Sequence, residues 1–184
     1  MADRTAPDAL LLVQDLVNTL DVETGEDALT AEGGPAAFLR ARGVPEAAPE
    51  EGESAALLEL REALRAVCLA HTARREVGED TARTLDRLLG RAPLVLAVGP
   101  DGGAALRPAA ALRGTARLTA LIAAGIATAA ADGTWTRLKA CEAHDCRWVF
   151  YDRSPAGRSR WCTMAVCGSR AKMRSYRARR AEPS

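Results

Sequence analysis

Residues 141–180 read CEAHDCRWVFYDRSPAGRSRWCTMAVCGSRAKMRSYRARR and hold four cysteines, Cys141, Cys146, Cys162 and Cys167, spaced C-x4-C-x15-C-x4-C. Two close thiol pairs separated by a span of this length can converge on one tetrahedral ion. Zinc takes deprotonated sulfur ligands at about 2.3 Å, and four thiolates fill its shell and leave no open position. The spacing therefore predicts a structural rather than a catalytic metal. Three other readings stay open on the residues alone: free thiols without metal, a redox disulfide pair, and His144 replacing one thiolate. The spacing of four inside each pair differs from the C-x-x-C of redox sites. The segments Thr134 to Lys139 and Arg147 to Tyr151 are rich in aromatic and β-favouring residues, which places the first pair at the tip of a hairpin. Trp148, Phe150 and Trp161 are the candidate core around the metal.

The final helix is expected to start at Ala165 or Gly168 and run to about Arg180. It carries Arg170, Lys172, Arg174, Arg177, Arg179 and Arg180, with Arg170, Arg174 and Arg177 on one face and Lys172 and Arg179 on another. Met173 and Tyr176 form a narrow apolar stripe expected to dock on the metal core. Arg158 and Arg160 add charge from the preceding loop. Of the 25 basic residues, 12 lie after Trp135, where only 4 of the 24 acidic residues fall. A near-neutral chain is thus an acidic body with a basic end, and such asymmetry points to a polyanionic partner. Arginine forks onto phosphates and guanine edges, so DNA is the expected partner and RNA or an acidic protein the alternative.

The remainder reads as helices. Asp8 is expected to cap a helix to about Leu20, Pro35 to Arg42 is a short helix, Ser54 caps a long one, and Asp80 to Leu89 follows. Pro45 to Gly52 reads as an exposed acidic connection. On the long helix Leu57, Leu60, Leu64, Val67 and His71 line one side, with Arg61 and Arg65 expected largely elsewhere. Leu94 to Val98 and Ala104 to Arg107 flank Asp101-Gly102-Gly103 as a β-hairpin, and Pro108 is expected to open a helix to Ala131. The predicted class is α+β: a mainly helical domain over 1–132 with one hairpin, then a small four-cysteine module over 133–184 made of a hairpin and a basic helix. Asp15, Asn18 and Thr19 are polar residues inside an apolar helix and are candidate ligand contacts, although satisfying backbone at the helix end is the commoner use of such residues. Cys68 reads as a buried, inert thiol. No catalytic set stands out, so no enzyme is expected. No secretory core or full membrane span is visible, which predicts a cytoplasmic chain.

The stretch Cys141 to Arg180 resembles the CGNR zinc finger. It shares both cysteine pairs, the aromatic after the first, FYDRS (Phe150 to Ser154), RWC (Arg160 to Cys162) and the C-G-N-R-x-K signature, except that Ser169 stands where the signature has Asn. The resemblance implies that the four cysteines bind zinc and that Arg170 and Lys172 match the basic part of the signature. Asp15 to Asp21 (DLVNTLD), with PLVLAVGPDGGAAL over 93–106, resembles the ABATE domain. Together these resemblances imply a stress-induced transcription regulator with a DNA-binding finger. A dimer assembled through the helical body, and a small-molecule effector, are further expectations.

Overall fold

The computed structural model describes residues 4–45 and 52–181. The connection expected over Pro45 to Gly52 falls mostly outside them. The elements run α1 (Asp8–Val17), α2 (Gly34–Ala41), α3 (Glu53–Ala73), α4 (Glu79–Leu89), β1 (Leu94–Val98), β2 (Ala104–Pro108), α5 (Gly114–Ala131), β3 (Leu138–Ala140), β4 (Val149–Tyr151) and α6 (Ser169–Ala181). The strands form two antiparallel hairpins, β1–β2 and β3–β4. This is the expected mainly helical α+β arrangement.

Helices α1, α3 and α5 build the core, in which Leu10, Leu16, Leu60, Leu64, Leu118 and Ile122 are all but sealed from solvent. α1 and α5 touch at Gly125, where an added Cβ would lie 1.9 Å from the Ala9 carbonyl oxygen. Only a residue without a side chain permits that approach. α5 is long and apolar enough to cross a membrane by composition. Its buried face and its packing against α1 and β2 make it a core helix of this fold.

Several boundaries differ from expectation, each for a local reason. α1 stops at Val17 rather than Leu20, because the side chain of Asn18 is drawn to β4. Asp8 is the first helical residue, not the cap, and its carboxylate favours the positive helix end. α3 begins at Glu53 after Gly52, whose φ of 84° turns the chain into the helix, so Ser54 is not the cap. Pro108 ends β2 opposite Leu94 and does not open a helix; α5 starts six residues later. Arg61 and Arg65 lie on the buried side of α3, only 4% and 5% exposed. Arg61 forks onto Asp27 at 2.7 and 2.9 Å, tying the loop after α1 to α3. Arg65 donates to the carbonyls of Val17 at 2.8 Å and Arg147 at 3.2 Å. Each arginine satisfies groups that burial would otherwise leave unpaired.

The β3–β4 hairpin is built into the same core. Leu138, Ala140, Val149 and Tyr151 belong to one apolar cluster with the helices. β3 runs along α3, where the ring Nδ1 of His71 bonds the Leu138 carbonyl at 2.9 Å and Thr72 donates to the Ala140 carbonyl at 2.7 Å. β4 is held from α1. Asn18 donates to the Val149 carbonyl at 2.8 Å and accepts from its amide at 2.7 Å, as a neighbouring strand would. Gln14 adds a bond to the same carbonyl at 3.1 Å. Cys68 is fully buried, and burial pushes its thiol up to about 12, out of nucleophilic range.

Candidate metal centre and nucleic-acid interface

Cys141 follows β3 directly. A tight turn, with the Cys146 amide bonding the Ala143 carbonyl at 3.1 Å, brings Cys146 back beside it. Arg147 completes that turn in the left-handed region at φ 57°. The long loop after β4 returns alongside, where the Glu142 amide bonds the Arg160 carbonyl at 3.0 Å, and this delivers Cys162. Cys167 sits in a widened helical turn, Met164–Gly168, that runs straight into α6. That turn is closed by Thr163, which accepts from the Val166 amide, and by Ser169, whose hydroxyl donates to the Met164 carbonyl at 3.0 Å. Ser169, in the position of the signature's Asn, thus makes a local bond to the backbone as a donor to a carbonyl, while the free amide of the turn is capped by Thr163.

The four sulfurs lie within 4.8 Å of one another, with Cys146–Cys162 and Cys162–Cys167 each at 3.6 Å. Ligands at the zinc–sulfur distance in a tetrahedron stand about 3.8 Å apart. The donor set and its dimensions therefore fit a zinc ion, with Cys141 and Cys167 buried and the other pair half-buried. The electrostatics call for a cation as well. The Cys141 thiol is held low by bonds from Cys146 and Cys162, while Cys162 is pushed up by the same crowding with Cys141 and Cys146. All four can ionise together only around a positive ion. His144 turns outward, its side chain 77% exposed, and is not among the clustered ligands.

The model of the CGNR zinc finger family matches residues 137–180, and the ABATE model, described as "Putative stress-induced transcription regulator", matches residues 11–134. The chain belongs to the ABATE family. No curated protein matches it. Neither matching family is a family of enzymes.

In this ABATE protein the finger's core differs from expectation. Trp161 packs on the cysteines, but Phe150 faces Arg4 and Trp148 is 40% exposed. Trp148 precedes β4 and stays partly open, while Val149 inside the strand joins the helical cluster. The stripe of Met173 and Tyr176 does not dock either: both are about half exposed, and every side chain over 172–180 faces solvent. With basic residues on both flanks the stripe is too narrow to bury, and only the root of α6 is fixed, by the turn containing Cys167.

The basic residues fall into two groups. Arg160 pairs with Glu142 and lies over the Trp161 ring; Arg170 pairs with Glu23 at 2.8 Å; Arg180 bonds the Tyr176 hydroxyl at 3.1 Å. Arg158, Lys172, Arg174, Arg177 and Arg179 are exposed and have no ionic partner among the described residues.

A cleft of about 970 Å³ opens between the helical body and the finger. Asp15, Asn18 and Thr19 all lie on its wall. Asp15 pairs with Arg42 at 2.9 Å, and burial raises its carboxyl against the pull of that arginine. Asn18 is committed to Val149, and the Thr19 hydroxyl to the Leu16 carbonyl at 2.8 Å. The finger's wall includes Trp148, Met164 and Val166, none of which the sequence marks as cleft-forming, because apolar residues beside zinc ligands read as core.

Proposed function

We propose that this protein is a zinc-dependent, DNA-binding transcription regulator of the cytoplasm, without catalytic activity, in which α6 contacts nucleic acid and the helical body senses a ligand or dimerises. The observation that carries this reading is the group of four cations, Lys172, Arg174, Arg177 and Arg179, without acidic partners among the described residues, on a helix that continues from the turn holding Cys167. Thirteen residues span about 20 Å, enough to lie along a major groove about 12 Å wide. Four phosphate contacts would give log K against log salt a slope of about −3.6. Replacing all four with Gln is expected to flatten that slope and abolish duplex binding at about 0.15 M salt, with zinc content unchanged. Retardation of random duplex DNA across a salt series checks this. Salt-indifferent binding, or an unaffected variant, overturns it, and stronger retention of single-stranded RNA assigns the helix to RNA instead.

The surface that suits a homodimer is the β1–β2 hairpin. Val95, Leu96 and Val98 are 48%, 67% and 68% exposed, and the two-stranded sheet leaves its outer edges unpaired. The double change Leu96→Lys and Val98→Lys is expected to shift sedimentation from dimer to monomer at micromolar concentration.

A further inference from the structure

The cleft between the body and the finger carries more than the family resemblance does. One wall comes from α1, α2 and the residue after it (Leu11, Asp15, Phe38, Arg42), the other from β4, the residue before it and the turn that launches α6 (Trp148, Phe150, Met164, Val166). The lining is mainly apolar and aromatic, and its volume lies within the range of sites for drug-sized molecules. Trp148, Met164 and Val166 remain 40%, 52% and 45% exposed there. Most polar groups on these walls already have partners. Gln14 accepts from the Ala6 amide and donates to Arg4 and Val149 carbonyls, Asn18 pairs with Val149, and Asp15 with Arg42. Arg4 differs. Its guanidinium lies 5.0 Å from the centroid of the buried Phe150 ring and has no acidic partner among the described residues. Among the described lining residues two guanidiniums face one carboxylate, and the one without an acidic partner is Arg4's.

We propose that this cleft binds an apolar monocarboxylate, its carboxylate at Arg4 and its apolar portion against Phe38, Trp148 and Met164. The assignment rests on the reading of the body as a ligand sensor and specifies the ligand's chemistry. A bound acid touches α1 and the Met164–Gly168 turn together, so it acts on the segment that sets the pose of α6. Binding there and binding of nucleic acid at α6 are then linked, each altering the other by the same factor.

Calorimetric titration of the zinc-loaded chain with dodecanoate and with 2-naphthoate tests the proposal, and the arms separate an alkyl from an aromatic ligand. At least one acid is expected to bind at micromolar concentration. The neutral analogues, dodecanol and 2-naphthylmethanol, should bind about tenfold more weakly, and the corresponding amines more weakly still. Arg4→Gln is expected to remove the preference for the acid. Asp15→Asn, which deletes the only acidic side chain among the described lining residues and releases Arg42, is expected to raise affinity for the acid several-fold. Opposite shifts in two variants of unchanged zinc content exclude general damage to the fold. Failure of both acids to bind below millimolar concentration, equal binding of acid and alcohol, or a loss of affinity in Asp15→Asn overturns the proposal. DNA retardation of the same preparations reports separately: DNA binding without either acid binding removes the ligand assignment alone, and the converse removes the DNA reading alone.

Discussion

Cys167→Ser, or removal of zinc by a chelator, is expected to destabilise the entire chain rather than its C-terminal end alone. Ligation of structural zinc contributes on the order of 10 kcal/mol in isolated finger peptides, comparable with the total stability of a typical domain. Here the ligands are continuous with buried strands. Cys141 directly follows Ala140, and the turn through Cys146 returns into Val149, both inside the cluster shared with α1, α3 and α5. Loss of the ion leaves four crowded thiols with no cation to hold them, and the hairpin loses one end of its support. Zinc stoichiometry is expected to fall close to zero and the thermal midpoint by at least about 10 °C, since about 2–4 °C accompanies each kcal/mol in a chain of this size. Metal analysis and a thermal melt followed by helical circular dichroism check it. His144→Ala, which alters an exposed residue between two ligands, should leave both unchanged. A metal-free chain melting at the original temperature would show that the body does not depend on the finger.

Asp152→Asn has the second largest expected effect. Asp152 is sealed from solvent and accepts from the Lys139 ammonium at 2.9 Å, from the Ser154 amide and hydroxyl at 3.1 and 2.7 Å, and from the Ser159 amide and hydroxyl at 2.8 Å each. One carboxylate thus folds the loop that delivers Cys162. Burial raises its pKa, but the bonds from Lys139, Ser154 and Ser159 outweigh burial and hold it well below the ordinary 3.8. A depressed carboxyl stabilises the fold fully above its unfolded value and loses that contribution as pH falls through the folded one. Acid titration of the native chain should therefore show a stability loss beginning below about pH 4 that Asp152→Asn lacks. The variant itself strands the buried Lys139 ammonium, and breaking a buried pair from one side costs about 3–5 kcal/mol. Denaturant unfolding at pH 7 measures it. Adding Lys139→Met to the Asn variant should recover part of the loss, because the stranded charge goes with it. Additive losses would mean the two side chains act independently.

The metal centre was the most legible part of the chain. Its spacing is local, its chemistry belongs to one residue type, and the structure gathers the same four cysteines. Element type was also legible wherever apolar periodicity was long, as on α3 and α5. What escaped was set by partners distant in sequence. Asn18 looked like a helix residue with a spare polar group, and only β4, 131 positions away, shows why α1 ends before it. Arg61 and Arg65 looked like solvent-facing charges until Asp27 and two carbonyls claimed them. Pro108 suits a helix start, but its register opposite Leu94 makes it a strand end. Trp148 and Tyr176 look like core by residue type alone, yet the described residues leave both partly exposed. The basic residues of α6 were legible as a cluster, whereas the division between those tethered to Glu23, Glu142 or Tyr176 and those left unpaired depended on loops that composition does not place.

The side-chain clasp of Asn18 on Val149 has a practical corollary for anyone wishing to exchange recognition modules between relatives. A graft that imports a foreign hairpin without the matching amide on the first helix would leave a main-chain donor and acceptor stranded inside the protein. Chimeras should therefore carry the opening helix and the cysteine cassette as one inherited unit, spliced in two places rather than at a single seam.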